Sequence, residues 1–290
     1  MGFLARLPVA LAPGMGLNAF FTYTVVLEMG KSWETALGAV FLSGCLFVLI
    51  SAFGVRAWVI NTIPDTLKKG IVAGIGAFLA LIALKESGII VASPATLVTL
   101  GDLTEFAPAM AILSFFLIVF FIQKQLSGAV ILAVLIVTAI SLLFGEQQFH
   151  GVMALPPSIA PTLMQLDIAG AFDVAMISVI FAFLFVDLFD TSGTLIGVTK
   201  KAGLMDKDGN VPNMDKALFA DSSATIAGTL LGTSSVTSFI ESSAGVATGG
   251  RTGLVAVVVG VLFLLALFFS PLAGTVPSYA TAAVSYTHLT

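Results

Sequence analysis

In the stretch "FAFLFVDLFDTSGTLIG", residues 181–197, two aspartates stand three residues apart at the end of an apolar run. On a helix that spacing puts Asp187 and Asp190 on one face. Carboxyls in such a setting can accept hydrogen bonds from a ligand, carry a proton, or share a proton as a catalytic pair. Three further polar groups sit in apolar surroundings: Glu241 in "TSFIESSAGVATGG", Asp221 in "ALFADSSATIAG" and Asn18 in "APGMGLNAFF".

Each residue has a functional and a structural reading. Asp187 is an acceptor in a solvated cavity, or a helix-end residue at the interface. Asp190 is a proton site or cavity organiser, or it shapes a helix exit with Thr191, Ser192 and Gly193. Glu241 binds a ligand, or is a protonated glutamate held by neighbouring hydroxyls. Asp221 carries a proton, or caps a helix. Asn18 reads a ligand edge, or pairs with backbone groups freed by a broken helix.

The catalytic alternative is weak. The "FDTSG" turn echoes aspartic proteases, but it occurs once, among helical segments, and the Gly-x-Gly-Asp motif of intramembrane aspartyl proteases is absent. No Cys/His spacing suits a metal and no phosphate-binding glycine motif occurs, so neither metal nor cofactor is expected. His150 has no partner pattern. Cys45 is the single cysteine, which excludes an intrachain disulfide.

The elements that must position these groups are membrane helices. The 290 residues are 58% hydrophobic and only 10% charged, against about 25% charged in a soluble domain. Six apolar segments, about 35–53, 70–84, 108–122, 128–144, 171–189 and 253–270, are each able to cross or nearly cross a bilayer. Segments 9–27, 217–231 and 233–249 are weaker, rich in Gly, Ser, Thr and Ala. Such stretches are tolerated where they are buried or line a cavity. A net charge of −4 with no basic patch gives no sign of a nucleic-acid partner.

If all nine segments cross and Arg6 is cytoplasmic, then so are Arg56, Lys68, Lys69, Lys124, Lys200, Lys201, Lys207, Lys216 and Arg251. Only Lys31 and Lys85 lie outside, a bias of ten against two among the 12 basic residues. A weak internal repeat supports the same picture. "GMGLNAFFTYTVV" precedes the helix at 35–53, and "GTSSVTSFIESSAGV" precedes that at 253–270, so Gly14 matches Gly232 and Phe21 matches Phe239. Paired, Gly-rich, interrupted segments in inverted halves point to a transporter site near the midplane.

The motifs "ALAPGMGLNAFF", "VASPATLVTLGDLT", "DLFDTSGTLIGVTKKAGLMD", "ADSSATIAGTLLGTSSVTSFIESSAGVATGGRTGL" and "FLLALFFSPLAG" resemble the adenine/guanine/hypoxanthine permeases. These form the purine branch of the nucleobase–ascorbate transporter superfamily. The resemblance implies an all-α integral protein of the cell inner (plasma) membrane. Its fold is a 7+7 inverted repeat with core and gate domains, and two unwound helices carry short strands. It implies import of purine nucleobases with protons, with Asn18, Asp187 and Glu241 at the base and Asp190 and Asp221 in the proton machinery. Phe20, Phe21 and Phe239 would cover a face of the base, and backbone N–H groups near Gly14 and Gly232 would read its rim. Lipid is the expected surroundings, and a homodimer of a longer chain stays open. The runner-up is an anion or other small-solute transporter of the same architecture, which an acidic site disfavours.

The resemblance covers residues 1 to 283 as one permease domain, about helices three to eleven with parts of the second and twelfth. The family pattern begins before Met1. The last residues, 284–290, read as a tail foreign to it.

Overall fold

The computed structural model describes residues 1–52, 65–126, 128–207 and 209–287. In chain order the first elements are Leu11–Pro13 (β1), Met15–Ala19 (α1) running into a π-helix over Phe20–Glu28, and Trp33–Ala52 (α2). Then come Asp65–Glu86 (α3), Ile90–Ser93 (β2), Leu97–Leu100 (β3), Phe106–Gln123 (α4) and Ala129–Leu143 (α5). The remainder holds Ile168–Ala171 (α6), Val174–Ala202 (α7), Met214–Leu231 (α8), Val236–Ser238 (β4) and Ser242–Ala247 (α9). Leu254–Ala266 (α10) leads through a 3-10 turn to Ser270–Gly274 (α11), and Ser278–Thr287 (α12) closes the described chain.

These elements divide into two compact units: Met1–Val72 with Pro157–Leu264, and Ala73–Pro156 with Leu265–Thr290. In the first unit, α2 buries Ala36, Val40, Ser43, Gly44, Phe47 and Ser51, a helical stripe of mostly small residues. Small residues let helix backbones approach closely in membranes. A Cβ on Gly44 would stand 3.1 Å from Ile226 of α8, so that glycine sets how near α2 and α8 come. One core cluster joins Phe47 to Leu184, Leu188, Leu195 and Leu218. A second joins Leu17, Val25, Val40, Met176 and Phe183.

Helix α7 starts on Asp173, whose carboxylate accepts the Ala175 amide at 3.2 Å and pairs with Lys31 at 2.6 Å. The ion pair, with help from that amide, holds the Asp173 carboxyl below the usual carboxylate range. The helix ends on Gly203 in the left-handed region (φ 67°), with Lys200 and Lys201 in the last turn. Both ends follow ordinary capping chemistry.

In the second unit, Ala111, Val137, Tyr279 and Ala280 form a small core between α4, α5 and α12. The Tyr279 hydroxyl donates to Ser141 Oγ at 2.9 Å, and Ser114 Oγ donates to the Ala280 carbonyl at 2.9 Å. Strands β2 and β3 form an antiparallel hairpin from Ile90↔Leu100 to Ser93↔Leu97.

Among the described residues, four helical stretches are long and apolar enough to span a bilayer: Trp33–Ala52, Phe106–Gln123, Val174–Ala202 and Leu254–Gly274. The last has none of its 18-residue window buried within the protein. A wholly apolar helix with no buried residue is stable in hydrocarbon and not in water.

The structure amends several expectations. The apolar segment at 171–189 continues as helix to Ala202, so Asp187 and Asp190 lie near its middle and not at an exit. Segments 9–27 and 233–249 are strand–helix pieces, as the interrupted segments and the resemblance led one to expect. The hairpin at 90–100 was not expected. Arg56, His288 and the last residues of the expected foreign tail, 288–290, lie outside the described residues; up to Thr287 that tail is helical.

Candidate functional site

Two interrupted segments build the site. β1 and β4 pair antiparallel, Leu11↔Ser238, Ala12↔Thr237 and Pro13↔Val236. The ladder is flanked by Gly14 N donating to Ser235 O and Phe239 N donating to Ala10 O, each at 3.0 Å. That alternation turns Pro13 away from β4, where its missing N–H removes no rung. A Cβ on Gly14 would come within 2.7 Å of Thr237 Cγ2, so glycine is needed for the segments to close. Val236, opposite Pro13, is held instead by Thr225 of α8. The Thr225 hydroxyl donates to its carbonyl at 2.8 Å and accepts its amide at 3.2 Å.

The pairing brings β4 hydroxyls against the carboxylates of α7 and α8. Asp187 is buried, and Oδ2 accepts from Ser235 Oγ at 3.2 Å. Its other oxygen, Oδ1, is buried without a hydrogen-bond partner. Asp221 is fully buried in the middle of α8, where Oδ1 accepts from Ser238 Oγ at 3.1 Å and Oδ2 from Thr191 Oγ1 at 2.9 Å. That position removes the helix-cap reading. Asp190 Oδ2 meets Thr237 Oγ1 at 3.3 Å, and Thr237 Oγ1 lies 3.0 Å from Thr191 Oγ1.

The other expected residues fall around this centre. Asn18, on α1, accepts from Ser234 Oγ through Oδ1. Glu241 sits at the N-cap of α9, exposed, and interacts electrostatically with Asp190. Phe20 meets the buried Phe183 edge-on at 5.2 Å, and Phe21 packs on the same cluster. Phe239 is partly buried beside the ladder.

Gly232 has a different task from the one expected. It caps α8 in the left-handed region (φ 91°), its amide bonds to Thr229 O at 3.1 Å, and it packs against Thr162. With the Gly14 amide also engaged, neither glycine N–H is available to a ligand.

The hydroxyls of Thr225, Ser234, Ser235, Thr237 and Ser238 escaped the sequence reading, and Thr191 was read only as shaping a helix exit. Their signal was present, a density of Ser and Thr opposite isolated carboxyls. Serine and threonine are too common in membrane helices to be singled out without knowing which faces meet.

The site is thus a buried acidic centre between two broken segments, lined by hydroxyls, with one carboxylate oxygen left to accept. Among the described residues no group of His, Cys, Asp and Glu is arranged for a metal ion. The fold around it is that of a transporter membrane domain. The chain superposes on the transmembrane domain of a cyanobacterium bicarbonate transporter, BicA, with a TM-score of 0.76 at 17% identity, over 99% of this chain and 77% of that one. It also superposes on SLC26A9 with a TM-score of 0.66 at 13% identity, over 99% of this chain and 50% of that one.

This is a multi-pass membrane protein with the fold of transporter membrane domains. Residues 1–288 match the model described as the Permease family, and the chain belongs to that family. It is 50% identical over 282 residues to adenine permease AdeQ of Escherichia coli strain K12, covering 97% of this chain and 64% of AdeQ. It is 46% identical over 288 residues to guanine/hypoxanthine permease PbuG of Bacillus subtilis strain 168, covering 97% of this chain and 64% of PbuG. The chain therefore spans just under two thirds of the length of these relatives.

Proposed function

We infer that this chain is the site-bearing part of a secondary active transporter that imports a purine nucleobase together with protons across the cell inner membrane. The observation that carries the reading is the buried, unpartnered Oδ1 of Asp187 beside the paired broken segments. A buried acceptor left unsatisfied costs about 1–3 kcal/mol. A ligand N–H bonded there recovers it.

The relatives named as adenine and guanine/hypoxanthine permeases support a purine. The rim of a purine carries both donors and acceptors, and its faces are apolar. Asp187 and Glu241 accept from N–H groups, and the Asn18 NH2 donates to a ring nitrogen or carbonyl. Phe20, Phe21 and Phe239 offer aromatic cover. Asp190 and Asp221 hold the proton. The acidic lining opposes an anionic substrate, although the fold is shared with a bicarbonate transporter.

The test is uptake of labelled adenine, guanine and hypoxanthine by a version extended to the length of its relatives, in cells lacking purine permeases. Competition by purines and not by bicarbonate or dicarboxylates supports the reading. Uptake of anions with no purine competition overturns it.

A further inference from the structure

The two threonines between Asp190 and Asp221 impose a proton count. Thr237 Oγ1 is bonded to Asp190 Oδ2 at 3.3 Å, to Thr191 Oγ1 at 3.0 Å, and Thr191 Oγ1 is bonded to Asp221 Oδ2 at 2.9 Å. That row of three contacts needs three hydrogens, and the two hydroxyls supply only two. With both carboxyls ionised, each hydroxyl donates outward, and the central oxygens face each other 3.0 Å apart with no hydrogen between them. Thr191 is wholly buried and Thr237 nearly so, so water does not relieve that contact. With both carboxyls protonated there is one hydrogen too many for the row. One extra proton satisfies it.

We propose that Asp190 and Asp221 share a single proton across a Thr237–Thr191 hydroxyl chain, so that these threonines position and pass it. In one state Asp190 is protonated and donates to Thr237, Thr237 donates to Thr191, and Thr191 donates to ionised Asp221. For transfer, the Asp190 Oδ2–H bond breaks and that hydrogen binds Thr237 Oγ1. The Thr237 hydrogen moves to Thr191 Oγ1, and the Thr191 hydrogen moves to Asp221 Oδ2. Each oxygen that gains a hydrogen gives one up, except the two ends. The net result is one proton moved from Asp190 to Asp221, with total charge unchanged.

The partners around the row suit this. Ser238 donates to Asp221 Oδ1 in either state. The longest link is at Asp190, the partly exposed end. Thr237 also interacts with Asp187. The charged groups facing the row are Asp187 on α7 and Glu241 at the start of α9. The count uses the geometry alone; its use in transport rests on the proton coupling proposed above.

Infrared difference spectroscopy of the purified protein in lipid vesicles at neutral pH tests it without any substrate. The signal is the C=O stretch of protonated carboxyl groups. An asparagine at either end donates its own N–H into the row and releases the shared proton. Asp190→Asn and Asp221→Asn should therefore each remove the same one band, and the double variant should remove no more. Thr191→Val should uncouple the two ends, so that each asparagine variant then acts on its own carboxyl, and Thr191→Ser should restore the shared behaviour. Two separate bands, one lost per variant and both lost in the double, would overturn the proposal. So would the absence of any band that depends on these residues. If the valine variant does not fold, the asparagine pair and their double decide the matter.

Discussion

Asp187 has one oxygen held by Ser235 and one facing no partner, while Asp221 has both oxygens held. That difference is what the proposed reading uses, with Asp187 as the ligand acceptor and Asp221 as the proton holder. Replacing Asp187 or Glu241 by alanine removes one charge-assisted bond to the base. The expected loss is about 1.5–3 kcal/mol, or about one to two decades in affinity, with membrane insertion intact. Base affinity measured on the purified, extended protein checks this; wild-type affinity in either variant removes that residue from the site. Both carboxyls stood out in the sequence because isolated charge in an apolar run is rare. Their depth did not. Asp187 also allowed a helix-end reading, because hydropathy falls after residue 189 while the helix goes on packing through Leu195 and Val198. Glu241 read as enclosed but is exposed at its helix start.

The elements that matter most are the two interrupted segments, which meet through the β1–β4 ladder, and α8 holds β4 through one side chain. Thr225 satisfies both backbone groups of Val236 from α8. Thr225→Val leaves them buried without partners and should destabilise the protein by about 1–3 kcal/mol, while Thr225→Ser should behave as wild type. Thermal melting of the detergent-solubilised protein distinguishes them; a valine variant as stable as the serine one refutes the role. Gly14→Ala should push Thr237 off the ladder and cost about 1–3 kcal/mol by overpacking, with base affinity falling alongside stability. An alanine variant with unchanged melting and affinity would show that the segments close without that glycine. Helix positions were largely legible from apolar runs. The strands were expected only through the family resemblance, since three-residue strands carry no periodicity to read. The pairing register, and with it the hydroxyl row, depends on which residues face each other across more than 200 positions of sequence.

At the level of the whole chain, a transporter fold, membership of the permease family and an acidic site coincide. Accumulation of base into vesicles should follow an inward proton gradient without sodium; accumulation driven by sodium alone would contradict the roles given to Asp190 and Asp221. Alternating access needs two bodies that rock against each other. The 290-residue chain, shorter than its relatives, is therefore expected to bind a purine weakly and to transport none, and robust uptake by it alone would contradict this. The most direct measurement of the central claim is purine uptake by the extended protein, wild type and Asp187→Ala, side by side in cells without purine permeases. The account predicts saturable uptake of at least one of adenine, guanine and hypoxanthine in the wild type, and its loss in the variant at equal expression. Uptake that survives the substitution unchanged, or no purine uptake in a well-expressed wild type, would contradict it.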